Sequence, residues 1–528
     1  MLRDARELED GARVECDLCV VGGGAAGITV ARAFAGSSPS ARVCLVEAGG
    51  LEYEEATQAL YRGRNVGLPY FALDVSRLRY FGGSTNHWAG RCRPLDPIDY
   101  RARPWVPLSG WPFGPEELEP YYRQAHEICQ LGPYRYDAAF WADEGLPLLP
   151  LGDGPFESGV WHFSPPTLFG EVYGPELKRA ANVHVLLHAN AIEIETDEGG
   201  AGVTGLSLAC LDGPRLTVRA RAYVLACGGL ETPRLMLASN RVVPAGVGNR
   251  HDLVGRCFME HPHVVTGAVA LTNPDASLAF YARDRVPGHG AEFRGRLHLA
   301  ESAQEAERVG NLEYVFLPEP STEDTGYAAL RCLLRGARTL TAPDDLLGDL
   351  ALAVADIDDV VAGLLWRLGL RDYTASSFGL YAYAEQRPNP DSRVLLGTER
   401  DALGMPRIRL DWRLTPEDKR TLLVGAQLVA REFGRTGLGR VQIREWLTAD
   451  ETSWPNDLFG GHHHMGTTRM DGDPRRGVVD AECRVHGVDN LYVAGSSVFP
   501  TSGVANPTLT IVALALRLAD HLQGSLSS

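Results

Sequence analysis

Cys16-Asp17-Leu18-Cys19-Val20-Val21-Gly22-Gly23-Gly24-Ala25-Ala26-Gly27 decides the fold, together with Ile28, Ala31, Phe34 and Ala35 at helical spacing and then Val43-Cys44-Leu45-Val46-Glu47. An apolar run of strand length meets glycines, the apolar spacing becomes helical, and a second apolar run ends in an acid. This is a βαβ unit carrying GxGxxG, with Glu47 standing 20 residues past Gly27. Gly22 suits the tight turn, Gly24 lets the backbone approach a pyrophosphate, and Gly27 lets helix and strand pack closely. Ala26 belongs to the same cradle, and the helix N-terminus faces the phosphates. Glu47 can accept hydrogen bonds from a ribose 2′-hydroxyl, which argues against a 2′-phosphate and hence against NADP.

Working outward, two further segments repeat the strand-then-glycine pattern. Ala222–Leu225 runs through Ala226 and Cys227 into Gly228-Gly229, with a helix expected over Arg234–Ala238. Asn490–Val493 runs into Gly495, and a helix follows from Pro507, a residue suited to the first helical position, with Asn506 as its cap. The dinucleotide-binding layer is therefore assembled from 13–95, 172–262 and 460–526. The intervening 96–171 and 263–459 form a second lobe. There, Val264–Leu271, Asn311–Leu317, Ser376–Ala384, Arg393–Leu396 and Ile408–Trp412 read as strands of one antiparallel sheet. The 321–372 stretch reads as helical and exposed. The fold class is α/β: a Rossmann-like domain plus a lobe built on an antiparallel sheet.

Composition excludes several other classes. The 528 residues carry 51 basic and 67 acidic side chains, a net charge of −16 with neutral histidines. That balance argues against nucleic acid and against anionic membrane surfaces, both of which attract Lys and Arg. Thr508–Leu516 is broken at Arg517, and Leu350–Leu370 at Asp356, Asp358 and Asp359, so no apolar run reaches the roughly 18 residues of a membrane span. Met1–Asp10 is charged, with no apolar signal core. Ten scattered cysteines fit a reduced, cytoplasmic protein rather than a disulfide framework. Cys16 and Cys19, although spaced CxxC, read as small buried hydrophobes.

Three more motifs carry chemistry. Phe81-Gly82-Gly83-Ser84-Thr85-Asn86-His87-Trp88-Ala89-Gly90 is a glycine-rich loop bearing a His and a Trp. Gly461-His462-His463-His464-Met465-Gly466-Thr467-Thr468-Arg469-Met470 holds a histidine cluster. Asn506-Pro507-Thr508-Leu509-Thr510 opens the terminal helix. With the N-terminal fingerprint, Leu225–Leu235 and Val254–Pro262, these segments resemble the glucose-methanol-choline (GMC) oxidoreductases over nearly the whole chain and in that family's order. Within the family the resemblance is nearest to pyranose oxidase and related sugar and glycoside oxidoreductases.

The resemblance implies FAD rather than NAD, held by Gly22, Gly24, Ala26, Gly27, Glu47, Gly82, Gly83, Ser84, Asn86, His87, Trp88, Ala89, Ala226, Gly495, Asn506, Pro507 and Thr508. It implies oxidation of an alcohol, a secondary hydroxyl of a sugar or glycoside, with hydride passing to flavin N5 and reoxidation by O₂ or another acceptor. His463, three residues before Gly466-Thr467, falls on the catalytic base, and Asn506 on its partner. An imidazole of ordinary pKa about 6.5 is mostly neutral at pH 7 and can take the hydroxyl proton. A non-sugar alcohol and a non-redox lyase on the same fold stay open as alternatives. His87 stands at the offset of a flavin-linked histidine in relatives, so a covalent link is one reading. Asn86 and Ala89 depart from the linked pattern and favour FAD without a bond. The three adjacent histidines lack a carboxylate or cysteine neighbour, so no metal is expected. On a strand, His462 and His464 would share a face. They read as packing groups, and His261 and His263 as structural.

Overall fold

The computed structural model describes residues 1–528 except 38–40, 144, 274–275, 284, 319–325, 340–344, 356, 359, 362–363, 365–376, 450–452 and 528. A six-stranded parallel sheet runs in the order Leu2–Asp4, Val183–Leu187, Val43–Val46, Leu18–Val21, Ala222–Leu225, Leu491–Val493. The four strands from Val43–Val46 to Leu491–Val493 are buried at every position. Their unbroken apolar runs follow from helices or loops covering both faces. The helix Ala25–Ser37 packs on the C-terminal helix Thr508–Ser527, which also packs on Pro115–Ile128. The chain's two ends thereby form one layer.

The second lobe is built on a larger sheet, in the order Gly439–Ile443, His263–Leu271, Ser377–Ala384, Leu312–Pro318, Ala291–Leu299, Phe156–Phe163, Arg91–Cys92. Every pairing along it is antiparallel. A further four-stranded sheet orders Ala12–Glu15, Arg215–Arg219, Val203–Ala209 and Asn190–Thr196.

Two expectations are corrected. The strands expected at Arg393–Leu396 and Ile408–Trp412 lie outside the large sheet. They form a hairpin, Arg393–Arg400 with Pro406–Asp411, beside Arg64–Asn65. The buried carboxylate of Asp401, in the hairpin turn, accepts a 2.6 Å bond from Arg234 and so ties the hairpin to the dinucleotide-binding layer. The helix expected over Arg234–Ala238 begins earlier and spans Gly228–Ala238, with Pro233 inside it. Within the 321–372 stretch, helices run over Gly326–Thr339 and Leu346–Ala355, and much of the remainder lies outside the described residues.

Candidate active site

The first glycine turn is shaped by close backbone approaches. Gly22 has φ +108°, and a Cβ there would meet the Ala226 carbonyl oxygen at 2.6 Å. A Cβ on Gly27 would lie 1.9 Å from the Gly22 carbonyl oxygen, so only glycine lets helix and turn nest. Gly24, Gly228 and Gly495 differ: nothing lies within 4 Å of a Cβ built on any of them. These three sit where the parallel strands end and leave an open floor at the carboxyl edge of the sheet, the usual ligand crevice of such sheets. The first turn of Ala25–Ser37 carries no acidic residue, which leaves its amides free of a competing anion. Glu47 is buried, and its two carboxylate oxygens accept from the amides of Gly23 (2.7 Å) and Gly49 (2.8 Å). A small cavity beside it is lined by Val21, Gly22, Glu47, Arg79, Cys227 and Glu231.

The second glycine loop sits on the first. The Gly82 amide donates to the Gly23 carbonyl at 2.8 Å, and a Cβ on Gly83 would touch Gly24 Cα at 3.0 Å. Asn86 turns back and donates to the Phe81 carbonyl at 3.0 Å, bracing the loop. Trp88 donates to the Thr167 carbonyl at 3.2 Å and meets Phe169 edge-on. The Ala89 carbonyl accepts from Arg285 at 2.8 Å. Ser84 and His87 are exposed on this loop. The remaining expected residues, Ala26, Ala226, Pro507 and Thr508, lie at the first turn of Ala25–Ser37, just past the strand Ala222–Leu225 and at the start of the last helix.

The histidine cluster is not a strand. Its loop is stapled at both ends, by Phe459 exchanging backbone bonds with His263 and by Met465 exchanging them with Met259. His462 between them has φ +60°, in the left-handed region, so the expected shared face for His462 and His464 does not form. His462 stacks on Phe71 with ring centroids 3.9 Å apart. His464 Nε2 lies 2.9 Å from the Tyr70 hydroxyl, and that hydroxyl donates to Glu260. The buried Glu260 carboxylate also accepts from the amides of Gly461 (2.9 Å), His463 (3.0 Å) and His261 (3.1 Å). This cradle fixes the backbone of the loop. Burial pushes the Glu260 carboxyl up to about 7 against the pull of these donors.

His463 is half-buried at the centre. Its Nε2 lies 3.1 Å from Asn506 Nδ2, and its Nδ1 lies 2.9 Å from Nδ1 of His261. The Asn506 side chain thus points to the histidine from the start of the terminal helix, whose first bond runs from the Ile511 amide to the Pro507 carbonyl. Burial, and then the neighbouring His261, His263, His462 and His464, hold the His463 pKa well below the ordinary imidazole value. His463 is a neutral imidazole at physiological pH. It can accept a proton at Nε2 only from something placed beside Asn506.

Sequence reasoning read His261 as structural and passed over Tyr70 and Glu260. The signal for His261 was its place in Glu260-His261-Pro262-His263, which gave no hint of the partner 202 residues away.

A family model of FAD dependent oxidoreductases matches residues 17–365, and a family model of GMC oxidoreductases matches residues 388–515. The chain is 25% identical to the fructose dehydrogenase large subunit of Gluconobacter japonicus over 492 residues, covering 84% of this chain and 80% of the relative. It is 26% identical to 6'''-hydroxyparomomycin C oxidase of Streptomyces lividus over 583 residues, covering 96% and 92%. The crystal structure of pyridoxine 4-oxidase from Mesorbium loti shares the fold, with a TM-score of 0.54 at 18% identity over 96% of this chain and 99% of that one.

Proposed function

This chain belongs to the FAD-dependent GMC oxidoreductases, and on that premise we propose that it oxidises a hydroxyl of a sugar or glycoside to the carbonyl, with His463 as the base. The cradle fits the cofactor. The open floor at Gly24, Gly228 and Gly495 leaves room that side chains elsewhere along the turn would fill, and Glu47 keeps lone pairs for a ribose beyond the two amides it accepts. Gly22, Gly24, Gly27, Glu47, Gly82, Gly83 and Gly495 would hold FAD, and bound FAD supplies the acceptor for the hydride leaving the substrate carbon.

The chain's own part is proton transfer and orientation. The observation that carries the reading is the 3.1 Å approach of Asn506 Nδ2 to His463 Nε2 at the carboxyl edge of the parallel sheet. A hydroxyl placed beside the pair, within reach of both, donates its proton to the neutral Nε2 once the Asn506 amide turns from Nε2 to hold its oxygen. Asn506 has no basic nitrogen to compete for that proton. The amides of Gly461 and His463 donate to the Glu260 carboxylate and so fix the backbone that carries the imidazole, which preserves the geometry a proton transfer requires.

The sugar class is supported by the names of two relatives, which state a fructose and a hydroxyparomomycin substrate. O₂ or another acceptor takes the electrons. No helix among the described residues is long and apolar enough to cross a membrane, and the scattered spacing of the ten cysteines supports a reduced cytoplasmic setting. The test is anaerobic mixing of the FAD-loaded protein with a panel of sugars, glycosides and simple alcohols while flavin absorbance is followed. Bleaching by a sugar or glycoside is expected. Bleaching by simple alcohols alone removes the sugar assignment, and turnover without bleaching points to a lyase.

A further inference from the structure

His261 and His463 meet through the same kind of atom, Nδ1 to Nδ1 at 2.9 Å, with ring planes 75° apart. Two bare nitrogens would repel at that distance, so one proton lies between them, and the question is which ring owns it. The other end of His261 decides. Its Nε2 lies 3.3 Å from the Ser502 carbonyl oxygen, an atom that can only accept. His261 Nε2 therefore carries hydrogen. His261 is fully buried, and among the described residues no carboxylate bonds to either of its ring nitrogens, so it is neutral and carries that hydrogen only. Its Nδ1 is then a bare acceptor, and the proton between the rings belongs to His463 Nδ1. A neutral His463 with hydrogen on Nδ1 has a bare Nε2. That is the nitrogen which the Asn506 amide approaches at 3.1 Å as a donor.

We propose that His261 is a positioning residue that locks His463 in the Nδ1–H tautomer, leaving Nε2 free to accept the substrate proton. The proposal rests on the reading of His463 as the base. Which nitrogen of a histidine is protonated is set by the bond the other makes. Here the chain of donors runs from His463 Nδ1–H to His261 Nδ1, and from His261 Nε2–H to the Ser502 carbonyl. In a catalytic triad the residue behind the base is a carboxylate, and losing it lets the imidazole take the wrong tautomer. This chain uses a second imidazole instead. A neutral acceptor orients the base without placing a negative charge beside it. The main chain supplies the anchor: Ser502 precedes Asn506 by four residues, so one segment holds both ends of the proton-accepting unit.

Two measurements test this, and only one depends on turnover. The first is a two-bond proton–nitrogen correlation spectrum of the native holoprotein labelled at its histidine rings, with His463→Asn identifying the His463 signals. His463 should show hydrogen on Nδ1 and a bare Nε2. Hydrogen on Nε2 overturns the proposal, whatever the substrate proves to be. The second compares His261→Leu with His261→Asn, both checked for bound FAD, using the alcohol that bleaches the parent protein. Leucine fills the space but cannot accept from Nδ1, and flavin reduction should slow by about 10–100-fold, the usual cost of losing an orienting partner. Asparagine can present an oxygen where Nδ1 stood and should restore most of that rate. A purely structural role predicts equal losses in the two variants, and equal losses overturn the tautomer lock. If no alcohol bleaches the parent protein, the proposed oxidation fails while the spectrum still decides the tautomer.

Discussion

Thr467 donates its hydroxyl to the carbonyl of Gly229 at 2.7 Å, and this bond explains how a proline sits inside the helix Gly228–Ala238. Pro233 has no amide hydrogen, so the Gly229 carbonyl four residues earlier has no helical donor. The Thr467 hydroxyl, buried under the histidine loop, takes that place. It also couples the loop to the helix, because a Cβ on Gly229 would lie 2.2 Å from the His464 carbonyl oxygen. Thr467→Val keeps the volume and leaves that carbonyl without its donor. It should lower stability by about 1–3 kcal/mol, read as a lower denaturation midpoint at unchanged slope.

His463→Ala should retain FAD and slow flavin reduction by about 10²–10⁴, the range expected for a general base. His462→Ala removes a ring that stacks on Phe71 and bonds to neither His463 nor Asn506, and should cost far less. Stopped-flow reduction of the two variants under anaerobic conditions checks this. Equal losses would remove the distinction drawn between the two histidines.

His87 tests the cofactor's attachment. It is exposed at the end of a glycine loop whose neighbours are occupied elsewhere, Asn86 with the Phe81 carbonyl and Trp88 with the Thr167 carbonyl. FAD held without a bond should leave a yellow supernatant after acid precipitation. A yellow pellet that turns colourless in His87→Ala would instead establish a link through this residue.

Four strands of the parallel sheet were legible because they are buried at every position, and Leu18–Val21, Ala222–Leu225 and Leu491–Val493 also run into glycines; Leu2–Asp4 and Val183–Leu187, with exposed positions and no glycine after them, were not. The site was legible in its two ends, the spacing of His463 to Gly466-Thr467 and Asn506 before Pro507. Between them it was not. Glu260 and His261 reach the histidine loop across 201 and 202 residues, brought there by the pairings of Met259 with Met465 and of His263 with Phe459, and Tyr70 meets His464 across 394 residues. The hairpin Arg393–Arg400 with Pro406–Asp411 was assigned to the wrong sheet because strand patterns carry no partner. Its placement is fixed by the Arg234–Asp401 ion pair, which no local spacing reveals.

The buried histidines set the direction of pH dependence. Burial pushes His261 down to about 4 and His126 and His298 to about 3, and holds His263, His463 and His464 well below the ordinary value of 6.5. Below pH 6.5 the unfolded chain binds protons at these six positions and the native state does not, so stability falls as pH drops toward 4. Raised carboxyls oppose this: Glu260 and Asp99, up to about 7, Asp418, up to about 6, and Glu47 and Glu313, also pushed up by burial. They hold protons in the native state that the unfolded chain releases above about pH 4.5, so their contribution falls as pH rises through that window. The lowered histidines outnumber the raised carboxyls, since burial also brings His462 down to about 4 and lowers His162, and the melting temperature should fall on acidification from pH 7 to 5. A flat or rising melting temperature over that range would contradict these assignments.

Gly24 and Gly27 separate cofactor binding from folding. Nothing stands within 4 Å of a Cβ on Gly24, so Gly24→Val meets no protein atom at that carbon and should fold with a nearly unchanged melting temperature when FAD is absent from both proteins. If the pyrophosphate passes over Gly24, the valine occupies its path, and the purified variant should be colourless. Gly27→Ala places its methyl carbon 1.9 Å from the Gly22 carbonyl oxygen, a backbone atom that cannot move without breaking the turn. That variant should lose stability before any question of FAD arises, and should be recovered poorly or unfolded. Absorbance of bound flavin and thermal unfolding, measured on both variants, give the two outcomes. A yellow Gly24→Val protein with full FAD occupancy would move the pyrophosphate away from this turn.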